Sequence, residues 1–320
     1  MQKIDISVVV PLYNEEESLP ELVEWIHRVM IEHGFVYELI MVDDGSNDHS
    51  WQVVTGLKSL FPAIKGIKFQ RNYGKSAALH TGFQHAKGEV IITMDADLQD
   101  SPDEIPELYR LIKEEKFDLV SGYKKKRYDP LSKTIPTKLF NWATRKISGI
   151  HNLHDFNCGL KAYRKDVVKA IEVYGELHRY IPFLAKEAGF KKIGEKVVVH
   201  RPRKYGTTKF GLERFINGFL DLLTLSFTLK FGRAPMHFFG SFGVISFLTG
   251  FFIVVYLIAQ KLYGLHIGEK PREVVDQPLF YLALAALIIG VQLFLAGFLG
   301  ELLIRNSPNK NQYLISEMVE

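Results

Sequence analysis

"IITMDADLQDSPDEIPEL", residues 91–108, is the stretch on which the reading of the chain turns. Four apolar or small residues, Ile91 to Met94, run directly into Asp95, Ala96 and Asp97, followed by Gln99, Asp100 and Ser101-Pro102. Asp100 to Glu104 reads as an ordinary turn and helix start. Asp95 and Asp97 do not fit that description so easily. In an extended chain, residues two apart point to the same side, so these carboxylates repel unless a cation lies between them. A divalent cation with hard oxygen ligands, magnesium or manganese, holding a diphosphate is the economical partner.

The preceding sequence supplies a frame for that edge. "IDISVVVPLYN" (4–14), "YELIMVDDGSND" (37–48), "IKGIKFQ" (64–70) and "EVIITMDAD" (89–97) are apolar runs with the character of buried strands. Between them, "SLPELVEWIHRVMIEHG" (18–34), "SWQVVTGLKSLF" (50–61) and "KSAALHTGFQHAKG" (75–88) read as helices, and "IPELYRLIKEE" (105–115) as another. Apolar strands alternating with helices predict an α/β fold with a mostly parallel sheet covered on both faces. Polar residues gather after the strand ends: Tyr13, Asn14 and Glu15; Asp43 and Asp44; Asp95 and Asp97. Open α/β sheets bind ligands at that edge.

Composition narrows the class. A formal charge of +4 over 320 residues is too mild to argue for nucleic acid, and none is expected as a partner. The single cysteine, Cys158, excludes an internal disulfide framework and suits a reducing compartment. Asp5 interrupts any secretory signal core, so no signal is expected. "GKS" at 74–76 lacks the glycine a Walker loop needs, since Phe69 stands there, and no Gly-x-Gly-x-x-Gly follows a strand. His151, His154 and Asp155 lie close in sequence but read as loop residues rather than a metal cluster.

The C-terminal third changes character. Residues 211–232, "GLERFINGFLDLLTLSFTLKFG", are apolar but interrupted by Glu213, Arg214, Asn217, Asp221 and Lys230, the pattern of helices lying in a membrane interface. Phe238–Ala259 and Leu279–Leu299 are free of charge, and each is long enough for a hydrocarbon core of ~30 Å. Cations before the first span and after the second place both termini and the catalytic domain on the cytoplasmic side, in a multi-pass inner (plasma) membrane protein. Gly240, Gly243 and Gly250 on one span, and Gly290, Gly297 and Gly300 on the other, are expected to let the helices approach closely. The expected divisions are 1–210, catalytic; 211–235, juxtamembrane; 236–305, two-helix anchor; and 306–320, a cytoplasmic tail. A homo-oligomer, a tetramer at a guess, is expected because two spans make a thin bundle.

Six stretches in order carry a family resemblance: "VVVPLYNEEESL" (8–19), "VDDGSNDHS" (42–50), "RNYGKSAALHTGF" (71–83), "MDADLQDSPDEIPEL" (94–108), "DFNCGLKAYR" (155–164) and "YGTTKF" (205–210). Together they resemble the inverting glycosyltransferases of family 2, in particular the polyprenyl-phosphate branch that includes dolichol-phosphate mannosyltransferases and bacterial undecaprenyl-phosphate sugar transferases. The resemblance implies a GT-A fold, a nucleotide-sugar donor with UDP favoured, Mg2+ or Mn2+ as cofactor, and a polyprenyl phosphate acceptor at the bilayer surface. It implies that Pro11, Tyr13, Glu15, Asp44, Lys75 and Asp95 bind the nucleotide sugar, and that Asp95, Asp97 and Gln99 form the metal-diphosphate motif. Asp155 matches the acid near the acceptor and, with Asp97, is expected to serve catalysis; the role expected of Asp155 is positioning, with general base as the lesser option.

The acceptor phosphate requires cations, and Lys124, Arg127, Arg201, Arg203, Lys204 and Lys209 are the candidates. Relatives often carry arginine where this chain has Lys124. A processive polysaccharide synthase is the runner-up, but its Gln-x-x-Arg-Trp element is missing: the three tryptophans are Trp25, Trp51 and Trp142. A non-catalytic membrane scaffold is the third reading, and the intact Asp95, Asp97 and Asp155 argue against it.

Overall fold

The strands form where the apolar runs predict them, and each is buried on both faces. In the computed structural model, β1 (Ile6–Leu12), β2 (Tyr37–Asp43), β3 (Ile64–Phe69) and β4 (Val90–Thr93) lie parallel, with β1 between β2 and β4. Described are residues 3–125, 141, 142, 144–146, 148–202, 204, 205, 227, 235–305 and 315–319. Alternation along the strands divides the core in two. Val8, Val10, Leu39, Met41 and Ile92 face one layer, while Val9, Ile40, Val42 and Ile91 face the other. The first layer holds α1 (Leu19–Glu32), α2 (Ser50–Leu60) and α4 (Ile105–Lys113). The second holds α3 (Lys75–His85), α5 (Lys165–Ala170) and α6 (Ile181–Glu187). Helix α1 buries Leu19, Leu22, Val23, Ile26, Val29 and Met30 at helical spacing, and Gly34 at φ 67° follows its end.

The full order is β7-β5-β6-β4-β1-β2-β3-β8. Strands β5 (Leu119–Tyr123) and β7 (Ile193–Val197) pair in parallel, while β6 (Lys161–Arg164) runs antiparallel between β4 and β5. The chain winds from β1 through β2 to β3 on one side, then places β4 on the other side of β1. The crevice between β1 and β4 is therefore the topological switch point. Pro11 fits inside β1 for a related reason. The Val9 carbonyl accepts from Met94 and the Leu12 carbonyl from Asp44, so alternate residues face alternate neighbours. The missing donor of Pro11 thus faces the β4 side just beyond Thr93, where the ladder stops.

Two expectations shift. Strand β4 ends at Thr93, and Ala96 and Asp97 lie in a turn, so Asp95 and Asp97 are not on an extended strand. The alternation nevertheless persists: Asp95, Asp97 and Gln99 are half-exposed while Ala96, Leu98 and Asp100 are buried, with Leu98 at φ 60°. The second shift is at the C-terminus. Within the expected 306–320 tail, Ile315–Val319 forms β8, antiparallel to β3, and fills backbone hydrogen bonds that an edge strand would otherwise leave open.

The chain divides into two units, Met1–Leu222 with Lys310–Glu320, and Leu223–Asn309. In the second, α7 (Pro235–His266) and α8 (Pro278–Arg305) pack as a hairpin. Both are long and apolar enough to cross a membrane. Beside Pro235 and Gly240 near the start of α7, the buried positions fall seven residues apart: Gly243, Gly250, Leu257 and Gly264 on α7; Ala283, Gly290 and Gly297 on α8. Seven-residue spacing of small residues forms a continuous seam between two helices. A Cβ on Gly290 would lie 2.7 Å from the Phe247 nitrogen, and one on Gly243 would lie 2.7 Å from the Gly290 oxygen. The expected juxtamembrane segment 211–235 lies outside the described residues apart from Phe227 and Pro235.

Gly290→Leu should force the hairpin apart and destabilise it by about 1–3 kcal/mol, as overpacking does. The measurement is thermal unfolding in detergent; an unchanged midpoint would mean that the helices do not meet at this seam.

Candidate active site

Three loops at the switch-point edge are tied to one another by side-chain caps. After β1, the Asn14 amide donates to Ser46 Oγ at 2.9 Å, and the Glu15 amide to Ser50 Oγ at 2.9 Å. The Asn47 amide returns a bond to Asn14 Oδ1 at 2.9 Å, and Asn47 Nδ2 reaches the Tyr13 hydroxyl at 3.3 Å. Asn14 takes φ 54°, a conformation that asparagine tolerates. Asp43 caps its own turn by accepting from the Ser46 amide and hydroxyl. Asp44 reaches across to the third loop and accepts from the amides of Tyr73 at 2.7 Å and Gly74 at 2.9 Å. Burial pushes the Asp44 carboxyl up to about 6, against the pull of those two amides. A carboxylate has about four acceptor sites, so the two amides of this loop do not exhaust those of Asp44.

Lys75 opens α3 directly after that loop, and its Nζ lies 2.5 Å from Asp95 Oδ1. Burial works to raise the Asp95 carboxyl, but Lys75 and then Lys124 outweigh it and hold the group well below the usual carboxylate range. Gln99 donates its amide to Asp97 Oδ1 at 3.2 Å. The structure thus brings Tyr13, Glu15, Asp44, Asp95, Asp97 and Gln99, on loops, to the same edge as Pro11 near the end of β1 and Lys75 at the start of α3.

The remaining candidates are distributed differently. Lys124 turns inward to Asp100, with Nζ 2.7 Å from Oδ1 and side-chain exposures of 12% and 0%. Burial lowers the Lys124 ammonium, but Asp100 and Asp95 raise it above its ordinary range. Arg201 donates its amide to the Gln99 carbonyl at 2.9 Å and lays its guanidinium over Trp25, 4.2 Å from the ring centroid. Lys204 pairs with Glu21 at 2.6 Å. Asp155 is fully buried and caps its own loop by accepting the Asn157 amide at 3.1 Å. Arg127, Arg203 and Lys209 lie outside the described residues.

Two residues escape a sequence-only reading. Gly159 presses against Asp95: a Cβ there would lie 2.5 Å from the carboxylate, so only glycine leaves that carboxylate where it stands. Lys161 on β6 is buried, donates to the Cys158 carbonyl, and sits within electrostatic reach of Asp95 and Asp155; burial lowers its ammonium. Both belong to "DFNCGLKAYR", whose mixed polarity was the available signal.

A divalent cation fits this donor set. Magnesium and manganese are typically held by one or two carboxylates, with phosphate and water completing the octahedron. Asp95 and Asp97 offer such a pair. Among the described residues no three His, Cys, Asp or Glu side chains converge, which disfavours a closed protein cage such as structural zinc.

The family model for glycosyl transferase family 2 matches residues 7–172. The chain belongs to that family. It is 35% identical, over 332 aligned positions, to the dodecaprenyl-phosphate galacturonate synthase of Rhizobium johnstonii, covering 100% of this chain and 94% of the relative. It is 36% identical to the undecaprenyl-phosphate 4-deoxy-4-formamido-L-arabinose transferase of Pectobacterium atrosepticum, covering 93% and 87%. Solved structures share the GT-A fold. Mannosyl-3-phosphoglycerate synthase from Rubrobacter xylanophilus superposes with a TM-score of 0.57 at 14% identity, covering 71% and 75%. Glucosyl-3-phosphoglycerate synthase from Mycobacterium tuberculosis, crystallised with Mn2+, UDP and its product, gives 0.55 at 16% identity, covering 71% and 80%. This family 2 chain is a glycosyltransferase with two apolar helices suited to membrane association.

Two measurements follow. The Asp44 carboxyl is raised in the fold from 3.8 to about 6, so the folded state favours its neutral form. Its contribution is fully present below pH ~4 and is lost as pH rises through ~6, about 3 kcal/mol at 1.36 kcal/mol per unit. Denaturant titrations in detergent should show the stability of wild type minus that of Asp44→Asn falling by roughly that amount between pH 4 and 7; a flat difference would remove the buried-acid assignment. Gly159→Ala should displace Asp95 and raise the apparent KM for metal and donor on the order of 10-fold or more, since small misplacements at a reacting site are costly. An unchanged KM would show that the Asp95 position is not critical.

Proposed function

We propose that this chain transfers a single sugar, with inversion, from a nucleotide sugar to a polyprenyl phosphate at the cytoplasmic face of the membrane. The observation that carries the reading is the edge at the switch point: Asp95, Asp97 and Gln99 half-open after β4, bracketed by Lys75 and by the loops of Tyr13 and Asp44. Two relatives, matched over 94% and 87% of their length, are named for sugar chemistry on polyprenyl phosphates: a dodecaprenyl-phosphate galacturonate synthase and an undecaprenyl-phosphate 4-deoxy-4-formamido-L-arabinose transferase.

Pro11, Tyr13, Glu15 and Asp44 form the nucleotide side of the site. Asp95 and Asp97, with Gln99 beside them, are the residues that would hold Mg2+ or Mn2+. That ion supplies positive charge where the leaving diphosphate gains negative charge. Lys75 sits at the start of α3, where a cation and the positive end of the helix dipole both favour phosphate. The acceptor phosphate, with a second pKa of ~6, is largely a dianion at neutral pH. One of its oxygens forms the new bond to the anomeric carbon as the bond from that carbon to the donor diphosphate oxygen breaks. Such a nucleophile needs orientation more than deprotonation, and that is the role of Asp155. Arg127, Arg201, Arg203 and Lys209 are the cations proposed to receive its phosphate. Lys124, paired with Asp100, serves by holding Asp95 ionised.

The acceptor explains the anchor. Each methylene taken from the bilayer costs ~0.8 kcal/mol, so the enzyme must work at the membrane surface. The chain leaves the catalytic sheet, passes through α7 and α8, and returns to that sheet as β8. Two crossings and a return are consistent with both flanks on one side of the membrane.

The experiment is an assay of purified protein with UDP- and GDP-sugars, Mg2+ or Mn2+, and short polyprenyl phosphate. A lipid bearing one sugar is expected. A polymer would favour the processive synthase, and no turnover with any donor the scaffold. Asp97→Asn should lower kcat on the order of 10³-fold, the scale of losing a key electrostatic group; activity like wild type would overturn the metal assignment.

A further inference from the structure

Asp155 is held by its backbone, from both sides, by two residues facing each other across neighbouring strands. Ser121 on β5 and Glu195 on β7 are register partners in the parallel β5–β7 ladder. The Ser121 hydroxyl donates to the Asp155 carbonyl at 3.3 Å. Glu195 Oε1 accepts the Asp155 amide at 3.0 Å and the His154 amide at 2.6 Å. Its Oε2 meets His154 Nδ1 at 2.7 Å, and the imidazole stacks on Tyr123 with centroids 5.1 Å apart and planes at 25°. Ser121 is fully buried, and the Glu195 side chain is only 9% exposed.

A loop residue is ordinarily free to pivot about its own φ and ψ. Here both polar ends of the Asp155 peptide frame are bonded to groups on strands, and strands move less than loops. The third contact, to the His154 ring, locks the rotation of the preceding residue. A carboxylate serves for this task because one oxygen can receive two amides at once while the other meets the imidazole.

We infer that Glu195, with Ser121, is a positioning clamp that sets the direction of the Asp155 carboxylate toward the acceptor phosphate. This rests on the reading that Asp155 orients the acceptor. Glu195 touches no reacting atom and acts through Asp155 alone.

The test is steady-state kinetics of the full-length protein in detergent, with thermal midpoints as the folding control. Glu195→Ala should lower kcat on the order of 10–100-fold, the cost of a misplacement near 1 Å, and leave the nucleotide-sugar KM within about twofold. Glu195→Gln should retain most activity, since its amide oxygen can take the two backbone amides and its NH2 can face His154 Nδ1 in the neutral tautomer. Adding Glu195→Ala to Asp155→Asn should cause little further loss, because both act through one group. Ser121→Ala should lower kcat by a smaller factor with the same unchanged donor KM, and it stands in if Glu195→Ala does not fold.

Three results overturn the clamp: wild-type kcat in Glu195→Ala and Ser121→Ala while Asp155→Asn is impaired; equal loss in the Ala and Gln variants; or a donor KM that rises in step with the kcat loss. Wild-type activity in Asp155→Asn is a different failure, since it removes the assigned role of Asp155 itself and the purpose of the clamp with it.

Discussion

Carboxylates crowded at one edge of a sheet repel, and the site exists because cations are interleaved with them. Asp95 has Lys75 at 2.5 Å, Asp100 has Lys124 at 2.7 Å, and Lys161 lies buried within reach of Asp95 and Asp155. The Asp100–Lys124 pair is costly to bury, and removing either partner would leave an uncompensated charge, whereas Lys75 and Asp95 remain 33% and 30% exposed. The arrangement gives Asp95 a negative charge that persists at any physiological pH, which a diphosphate-bound cation requires. It also shows why two lysines that resemble surface charges in the sequence, Lys124 and Lys161, are interior groups.

The second constraint is rigidity where loops would otherwise move. The loops after β1, β2 and β3 exchange hydrogen bonds through Asn14, Ser46, Asn47, Ser50 and Asp44. Those ties fix the loop edge in advance, so a ligand bound there does not spend binding energy ordering the loops. The β5–β7 ladder holds the Asp155 backbone on the far side of β4. The loop edge and the Asp155 segment are thus braced by different strands of one sheet, and β6, which carries Lys161, runs between them.

The membrane unit follows another logic. Lipid and leucine are equally apolar, so helices in a bilayer associate through close packing rather than through exclusion of water. The seven-residue spacing of Gly243, Gly250 and Gly264 against Ala283, Gly290 and Gly297 meets that need. The bulky residues, Phe242, Phe252, Leu282 and Leu303 among them, are left exposed, on the surface that lipid would cover in a bilayer.

Sequence and structure divide the protein along the range of the forces involved. Strand and helix order, the apolar spans, the glycine seam and the acidic edge after β4 are encoded in neighbouring residues, and periodicity and motif order were enough to find them. The partners of Lys124 and Arg201, the pressure of Gly159 on Asp95, the buried place of Lys161, the clamp on Asp155 and the pairing of Ile315–Val319 with β3 join residues tens to hundreds of positions apart. A charged side chain can satisfy itself at a phosphate, at a carboxylate or on an aromatic face, and local sequence does not discriminate among them. Only the packed fold, by bringing one of those partners within bonding distance and excluding water from the others, made the choice.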